Sequence, residues 1–221
     1  MPFALPPLSL DGFAAGVRNL SPEPLSDQSV EALYAHYREL SVWNQRLSLI
    51  GPGTADEILE RHYGEALAAL PLVPRETRVA VDIGSGAGFP GIVLAAARPG
   101  LEMTLVEARE RKWSFLLAAA RKASLPCRGL NARVDVPLPP GLPESIDVVT
   151  ARALKLGPEV LAALAGRLAD NGRVLLWVGE HDPELPPDLV PGGSVRLAGS
   201  EKRRILSLVR SPLAARKQVG A

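Results

Sequence analysis

The run Val79-Ala-Val-Asp-Ile-Gly-Ser-Gly-Ala-Gly-Phe-Pro-Gly91 constrains the fold more than any other stretch of the chain. β-Favouring residues lead to a carboxylate, Asp82, and glycines then fall at 84, 86 and 88 before Phe89-Pro90. That order predicts a strand, then a tight loop whose backbone lies open to a ligand. A helix follows, opening at Phe89-Pro90, where the N–H that proline lacks would have no partner anyway. Backbone N–H groups point outward at such corners.

From Arg78 onward strands and helices alternate. The pattern predicts strands over 78–83, 102–106, 127–131, 146–150 and 172–178, and helices over 90–98, 109–123 and 157–169. Alternation of this kind builds parallel βαβ units. The ending breaks the pattern. Ser194–Gly199 and Arg204–Arg210 are joined by too few residues for a parallel crossover, so they form an antiparallel hairpin at the sheet edge. The expected fold class is α/β, a seven-stranded doubly wound Rossmann-like sheet with an antiparallel last strand, preceded by helices. Ser26 caps a helix running through Val30, Leu33, Tyr37 and Leu40 towards Leu47. Thr54-Ala-Asp-Glu57 has capping-box spacing for a second helix carrying Ile58, Tyr63 and Leu67, which Pro71 and Pro74 end. The Pro-rich stretches 137–143 and 183–191 read as surface loops. Three segments are expected: a helical extension over 1–74, the sheet domain over 75–210 and a basic tail over 211–221.

Two ligands fit the glycines. Gly86-x-Gly88-x-x-Gly91 has dinucleotide spacing, whereas Asp82-x-Gly84-x-Gly86-x-Gly88 has that of the acidic loop of S-adenosylmethionine methyltransferases. Asp82 favours the second, because a carboxylate repels a pyrophosphate and attracts an ammonium and a sulfonium. Glu107 closes the next strand, where an acid holds the ribose hydroxyls of either ligand. The terminal hairpin is an independent reason, since an antiparallel last strand belongs to the methyltransferase version of this sheet and not to the dinucleotide version.

Cys127 is the one cysteine in 221 residues, which excludes a disulfide framework and cysteine-based metal sites and suits a cytoplasmic location. No metal is expected. It follows a proline but precedes the third strand, so it reads as a core thiol. No apolar run is long and clean enough to span a membrane. The net charge of +1 names no partner, but seven basic residues against one acid lie between Arg196 and Ala221, a footprint that fits phosphates. Arg204 in that stretch, and Arg109 and Lys155 outside it, are candidates for phosphate contact. Of the three histidines, His62 reads as packing its helix, and Trp43 and Trp113 read as packing residues.

These residues resemble the glucose-inhibited division protein B family, methyltransferases acting on guanine N7 in small-subunit ribosomal RNA. Asp82-Ile-Gly-Ser-Gly-Ala-Gly-Phe-Pro-Gly-Ile92 is the most specific part. Trp43-Asn-Gln-Arg-Leu-Ser-Leu49 looks like the family's Trp-Asn-Lys-Lys-Ile-Asn-Leu segment. Residues 57–67 look like its Arg-His-x-x-Asp-Ser-Leu segment, and Thr150-Ala-Arg-Ala153 stands near its Ser-Arg-Ala motif. The resemblance implies that Gly84 and Phe89 line the cofactor pocket, that Val134-Asp135 lies close to the adenine, and that Arg152 borders the methyl donor. It implies S-adenosylmethionine as cofactor and small-subunit rRNA, or the small ribosomal subunit, as partner of a monomer. Asp135 replaces the family's usual Glu, Ile50 a common Thr, and Val178-Gly179 lacks a usual Lys. The fourth-strand corner reads as free of acid–base groups. That suits N7, whose lone pair needs no deprotonation, and leaves Arg152, which cannot act as a base, to position the guanine. From residues alone, a methyltransferase of another RNA, a protein or a small molecule stays open. So do a dinucleotide oxidoreductase, which NADH binding would reveal, and a non-catalytic rRNA-binding factor without affinity for S-adenosylmethionine.

Overall fold

The computed structural model describes residues 3–212; the expected basic tail, apart from Ser211 and Pro212, lies outside the described residues. Seven strands, β1 (Val79–Ile83), β2 (Glu102–Val106), β3 (Cys127–Leu130), β4 (Ile146–Ala151), β5 (Leu168–Val178), β6 (Leu189–Arg196) and β7 (Arg204–Arg210), form one sheet. Their order is β3-β2-β1-β4-β5-β7-β6. The first five run parallel, and β7 lies antiparallel between β5 and β6. This is the doubly wound sheet that the alternation implied, with the terminal hairpin on its edge.

Among the described residues, six α-helices accompany the sheet: α1 (Leu10–Leu20), α2 (Asp27–Asn44), α3 (Glu65–Leu67), α4 (Gly91–Ala97), α5 (Glu110–Lys122) and α6 (Pro158–Ala165). Ser26 caps α2 by accepting from the Ser29 N–H at 3.1 Å. The helix stops at Asn44, short of Leu47, because the buried Asn44 side chain accepts from the N–H groups of Leu49 and Ile50 at 2.8 and 2.9 Å. α1 had no counterpart in the sequence reading; Ser9 caps it, accepting from Gly12 N–H at 3.1 Å. The Thr54 capping box is not formed. Pro52–Thr54 is a 3-10 turn, Leu59–Gly64 a π-helical turn leading into α3, and the Thr54 hydroxyl is used elsewhere.

Period-two alternation splits the apolar residues between the two faces. Ala80, Met103, Leu105, Val148 and Ile205 share one cluster with Phe13, Leu33, Tyr63, Ile92 and Phe115 of the helical layer. Val81, Ile83, Val149 and Val174 face Leu161 and Leu164 of α6 and Leu142. Leu142 belongs to the expected surface loop 137–143, which instead covers part of this face. The other Pro-rich stretch gives up 189–191 to β6. β5 begins four residues before its expected start, because its register jumps from Ile146↔Leu168 to Val148↔Arg173. Gly172 permits the jump, since a Cβ there would lie 2.8 Å from the Ile146 carbonyl oxygen.

Candidate functional site

A cavity of about 680 Å3 opens where the chain reverses between β1 and β4, at the carboxyl ends of β1, β2 and β4. Open α/β sheets bind ligands at this point, and the volume lies in the range of small-molecule sites, roughly 300–1,000 Å3. Gly84, Ser85, Gly86, Ala87 and Phe89 form its floor. Gly84 and Gly86 have φ of +71° and +55°, and a Cβ on Gly84 would lie 3.1 Å from Leu154 Cδ2. The loop is thus a cradle that a side chain would fill.

Two groups outside the cavity wall hold this loop. Asp82 is fully buried beneath it. Its Oδ1 accepts from Thr150 Oγ1 at 2.6 Å and its Oδ2 from the Gly91 N–H at 3.2 Å. The sequence reading had this carboxylate facing a cationic ligand. Alternation along β1 turns it the other way, towards α4, and its work is to tie β1, β4 and the loop together. Burial raises its pKa to about 6, against the opposing bonds from Thr150, Ser85 and Gly91. From above, the buried His36 of α2 reaches the Ala87 carbonyl with Nε2 at 2.9 Å and the Tyr63 hydroxyl with Nδ1 at 2.8 Å. A carbonyl only accepts, so Nε2 carries the proton and Tyr63 donates to Nδ1. Burial lowers the His36 pKa to about 4, so the ring is neutral. Gly88 faces this latch and not the cavity: its φ is +87°, and a Cβ would lie 2.7 Å from Ile92 Cδ1 and 3.0 Å from His36 Nε2.

Glu107 stands at the end of β2 in the cavity wall. Its Oε2 accepts from Gly86 N–H at 3.0 Å and its Oε1 from Arg109 N–H at 2.9 Å. A carboxylate has about four acceptor positions, so this one is held in place with capacity left for a pair of hydroxyls. Val134 and Asp135 continue the wall, with Asp135 exposed and 3.7 Å from Arg133. An acceptor poised for a ribose, an apolar side at Val134 and a bare glycine floor fit S-adenosylmethionine.

The opposite wall is basic. Glu65, nearly buried, gathers Arg61 at 3.0 Å, Arg152 at 2.8 Å and Arg203. Arg152 Nη2 also donates to the Arg61 carbonyl at 2.5 Å, whereas its buried Nη1 has no partner. Arg61 also reaches Glu57 at 3.6 Å, so three guanidiniums share two carboxylates beside the cavity. His62 belongs to the same wall, its ring centroid 5.1 Å from that of Phe89. Burial and the charges of Arg152 and Arg61 lower its pKa to about 3.

Arg109 and Lys155 are exposed at the cavity mouth, where Lys112 and Arg133 join them. Arg204 is not in the wall. It pairs with Asp182 and donates to the Gly179 carbonyl at 3.1 Å, so its charge is spent within the protein. Trp43 Nε1 donates to Glu39 at 2.7 Å, and Trp113 packs against Gly129; neither is in the wall. Burial raises the Cys127 thiol to about 12, consistent with an inert core position. The sequence reading missed His36, Glu65, Lys112 and Leu154, and placed His62 in packing alone. For His62 the signal was present, because the 57–67 segment carrying the resemblance includes it.

A family model described as GidB, rRNA small subunit methyltransferase G, matches residues 29–184. A protein of Rhodospirillum rubrum called ribosomal RNA small subunit methyltransferase G is 41% identical over 177 residues, covering 79% of this chain and 82% of its own. One of the same name from Methylorubrum populi is 38% identical over 148 residues, covering 66% and 69%. Among solved structures, a mutant of MtNAS in complex with S-adenosylmethionine superposes with a TM-score of 0.57 at 16% identity, covering 92% of this chain and 78% of that one. The last comparison shows the fold alone.

Proposed function

The chain belongs to the GidB family of small-subunit rRNA methyltransferases, and on that premise we propose that it transfers a methyl group from S-adenosylmethionine to N7 of a guanine in small-subunit ribosomal RNA. The observation that carries the reading is one cavity that joins a glycine cradle and Glu107 to Arg152, held by Glu65, and to Arg109, Lys112, Arg133 and Lys155.

When bound, S-adenosylmethionine supplies an electrophilic methyl group. Gly84, Gly86, Glu107 and Val134 would hold it, with Asp82 and His36 supporting the loop from outside. Guanine N7 carries an in-plane lone pair and gives up no proton, so the remaining task is to position the base and exclude water. The expectation of a corner free of acid–base groups concerned Thr150–Lys155 alone; beyond that corner Glu107, Asp135, Glu159 and His62 line the cavity. Glu107 is occupied by backbone amides, and His62 with a pKa of about 3 is a weak proton acceptor at neutral pH. Neither is suited to general-base work. Arg109, Lys112 and Lys155 at the mouth suit RNA phosphates. Leu49, Ile50 and His62 come from residues 1–74, so the helical extension shares in the site. A ribosomal RNA substrate implies work in the cytoplasm, and a cavity walled by one chain suits a monomer.

The test is incubation with labelled S-adenosylmethionine and small subunits lacking the modification, followed by borohydride–aniline cleavage. Label in the RNA with strand scission at one guanine is the expected result. Label without scission would refute N7 and leave rRNA methylation standing.

A further inference from the structure

Arg152 is gripped by one of its nitrogens. Nη2 donates to the Arg61 carbonyl at 2.5 Å and to Glu65 Oε2 at 2.8 Å, while Nη1 is buried with no hydrogen-bond partner among the described residues. The next residue, Ala153, has φ of +56°, a left-handed backbone that a residue with a Cβ seldom adopts. A buried N–H without a partner and a left-handed alanine both cost stability. They fall on consecutive residues at the end of β4, and Arg152 and Ala153 both line the cavity. Contacts from outside the corner must therefore hold it there.

Glu65 supplies the ionic contact, and its two oxygens divide the work. Oε2 bonds Arg152, whereas Oε1 takes Arg61 Nε at 3.0 Å and Arg203 Nη1. The residue is also fixed from the sheet, since Trp177 of β5 donates from Nε1 to the Glu65 carbonyl at 3.0 Å. Glu65 is buried, and it, Trp177 and Arg203 stand behind the cavity wall and not in it. Arg203 immediately precedes β7, so the terminal hairpin reaches the β4 corner through Glu65. A buried ion pair is poor evidence for stabilisation, because desolvating both charges offsets their attraction. What the carboxylate does supply is one direction for the guanidinium. Resting on the methyl-transfer reading above, we propose that Glu65 is a positioning residue of this site: it fixes the Arg152 guanidinium in the cavity wall for methyl transfer, and Arg203 of the terminal hairpin holds Glu65 in turn.

The experiment uses the full chain and small subunits lacking the modification. Label transfer at saturating S-adenosylmethionine gives kcat and the KM for subunits, calorimetry gives cofactor affinity, and thermal melts confirm folding. Glu65→Gln keeps the size of the side chain and removes its charge. Its kcat should fall about tenfold or more, while KM and cofactor affinity stay within about twofold of wild type. Arg203→Gln leaves the cavity wall untouched and should lower kcat by about threefold, as a loosened Glu65 would. In an Arg152→Gln background neither substitution should lower kcat further, because the residue they act through is gone. Equal fold losses with and without Arg152 would overturn the proposal, as would a folded Glu65→Gln with wild-type kcat. If Glu65→Gln does not fold, Arg203→Gln decides by the same two criteria. Wild-type enzyme that transfers no label to the subunits would refute the methyl-transfer reading and this proposal with it, whereas label without strand scission would refute N7 alone.

Discussion

Replacing Asp82 by asparagine and by alanine separates a carboxylate that supports the loop from one that touches the ligand. The folded pKa is about 6 against an ordinary value of 3.8, with burial as the main cause. Below the ordinary value the group is protonated in folded and unfolded chains alike, and no penalty exists. As the pH rises from 3.8 to about 6 the unfolded chain releases a proton that the folded chain keeps, so stability falls, and above about 6 the penalty is complete. Two pKa units at about 1.4 kcal/mol each amount to about 3 kcal/mol. Asp82→Asn removes that charge while an amide can still accept from Gly91 N–H and donate to Thr150 Oγ1. Urea unfolding should show it more stable than wild type by up to about 3 kcal/mol at pH 7, a gap that closes towards pH 4. Asp82→Ala loses the same penalty but strands two buried groups at about 1–3 kcal/mol each, so its stability lies between about 1 kcal/mol above and about 3 kcal/mol below wild type. Its loop is untied, and calorimetry should show affinity for S-adenosylmethionine down about tenfold or more, with Asp82→Asn close to wild type. Equal loss of affinity in both variants would refute this reasoning, because the charge itself would then face the ligand. Parallel stability–pH curves for wild type and Asp82→Asn would refute the burial argument.

Gly88→Ala should lower stability by about 2 kcal/mol or more and weaken cofactor binding, because its Cβ would strike Ile92 at a φ of +87°; Gly53→Ala, with nothing within 4 Å, is the control expected to be silent. His36→Leu should loosen the loop and weaken cofactor binding. With a folded pKa of about 4 against 6.5, neutral His36 contributes a stability loss that grows as pH falls from 6.5 to about 4, and the variant's unfolding free energy should be flatter across that window. Arg109→Ala and Lys155→Ala should each weaken RNA binding and lower the slope of log affinity against log salt by about 1. Arg204→Ala, its charge already met by Asp182, should leave that slope unchanged. Salt titrations of filter binding distinguish these outcomes.

Local pattern determined most of the architecture. Alternation of β-favouring runs with helical spacing, and a connection too short for a crossover, specify the parallel sheet and its antiparallel end without reference to distant contacts. The glycine run and Glu107 specify the cofactor wall for the same reason, since strand, loop and acid are close in sequence or one βαβ unit apart. Errors came where a neighbour in space outcompeted a local preference: Thr54 gave up its capping box and bonds His62, and Asn44 ended α2 early to hold Leu49 and Ile50. The basic wall was beyond local reading, because Arg61, Arg152 and Arg203 meet at Glu65 from three distant segments. The direction of Asp82 was likewise settled by packing: its place in β1 was plain, but only the helix laid across that face turned its charge from a ligand contact into an internal tie. Sequence by itself determined which residues carry charge, turn and strand. Tertiary structure decided which of those charges face water, a ligand or each other, because desolvation and pairing exist only once distant segments are packed together.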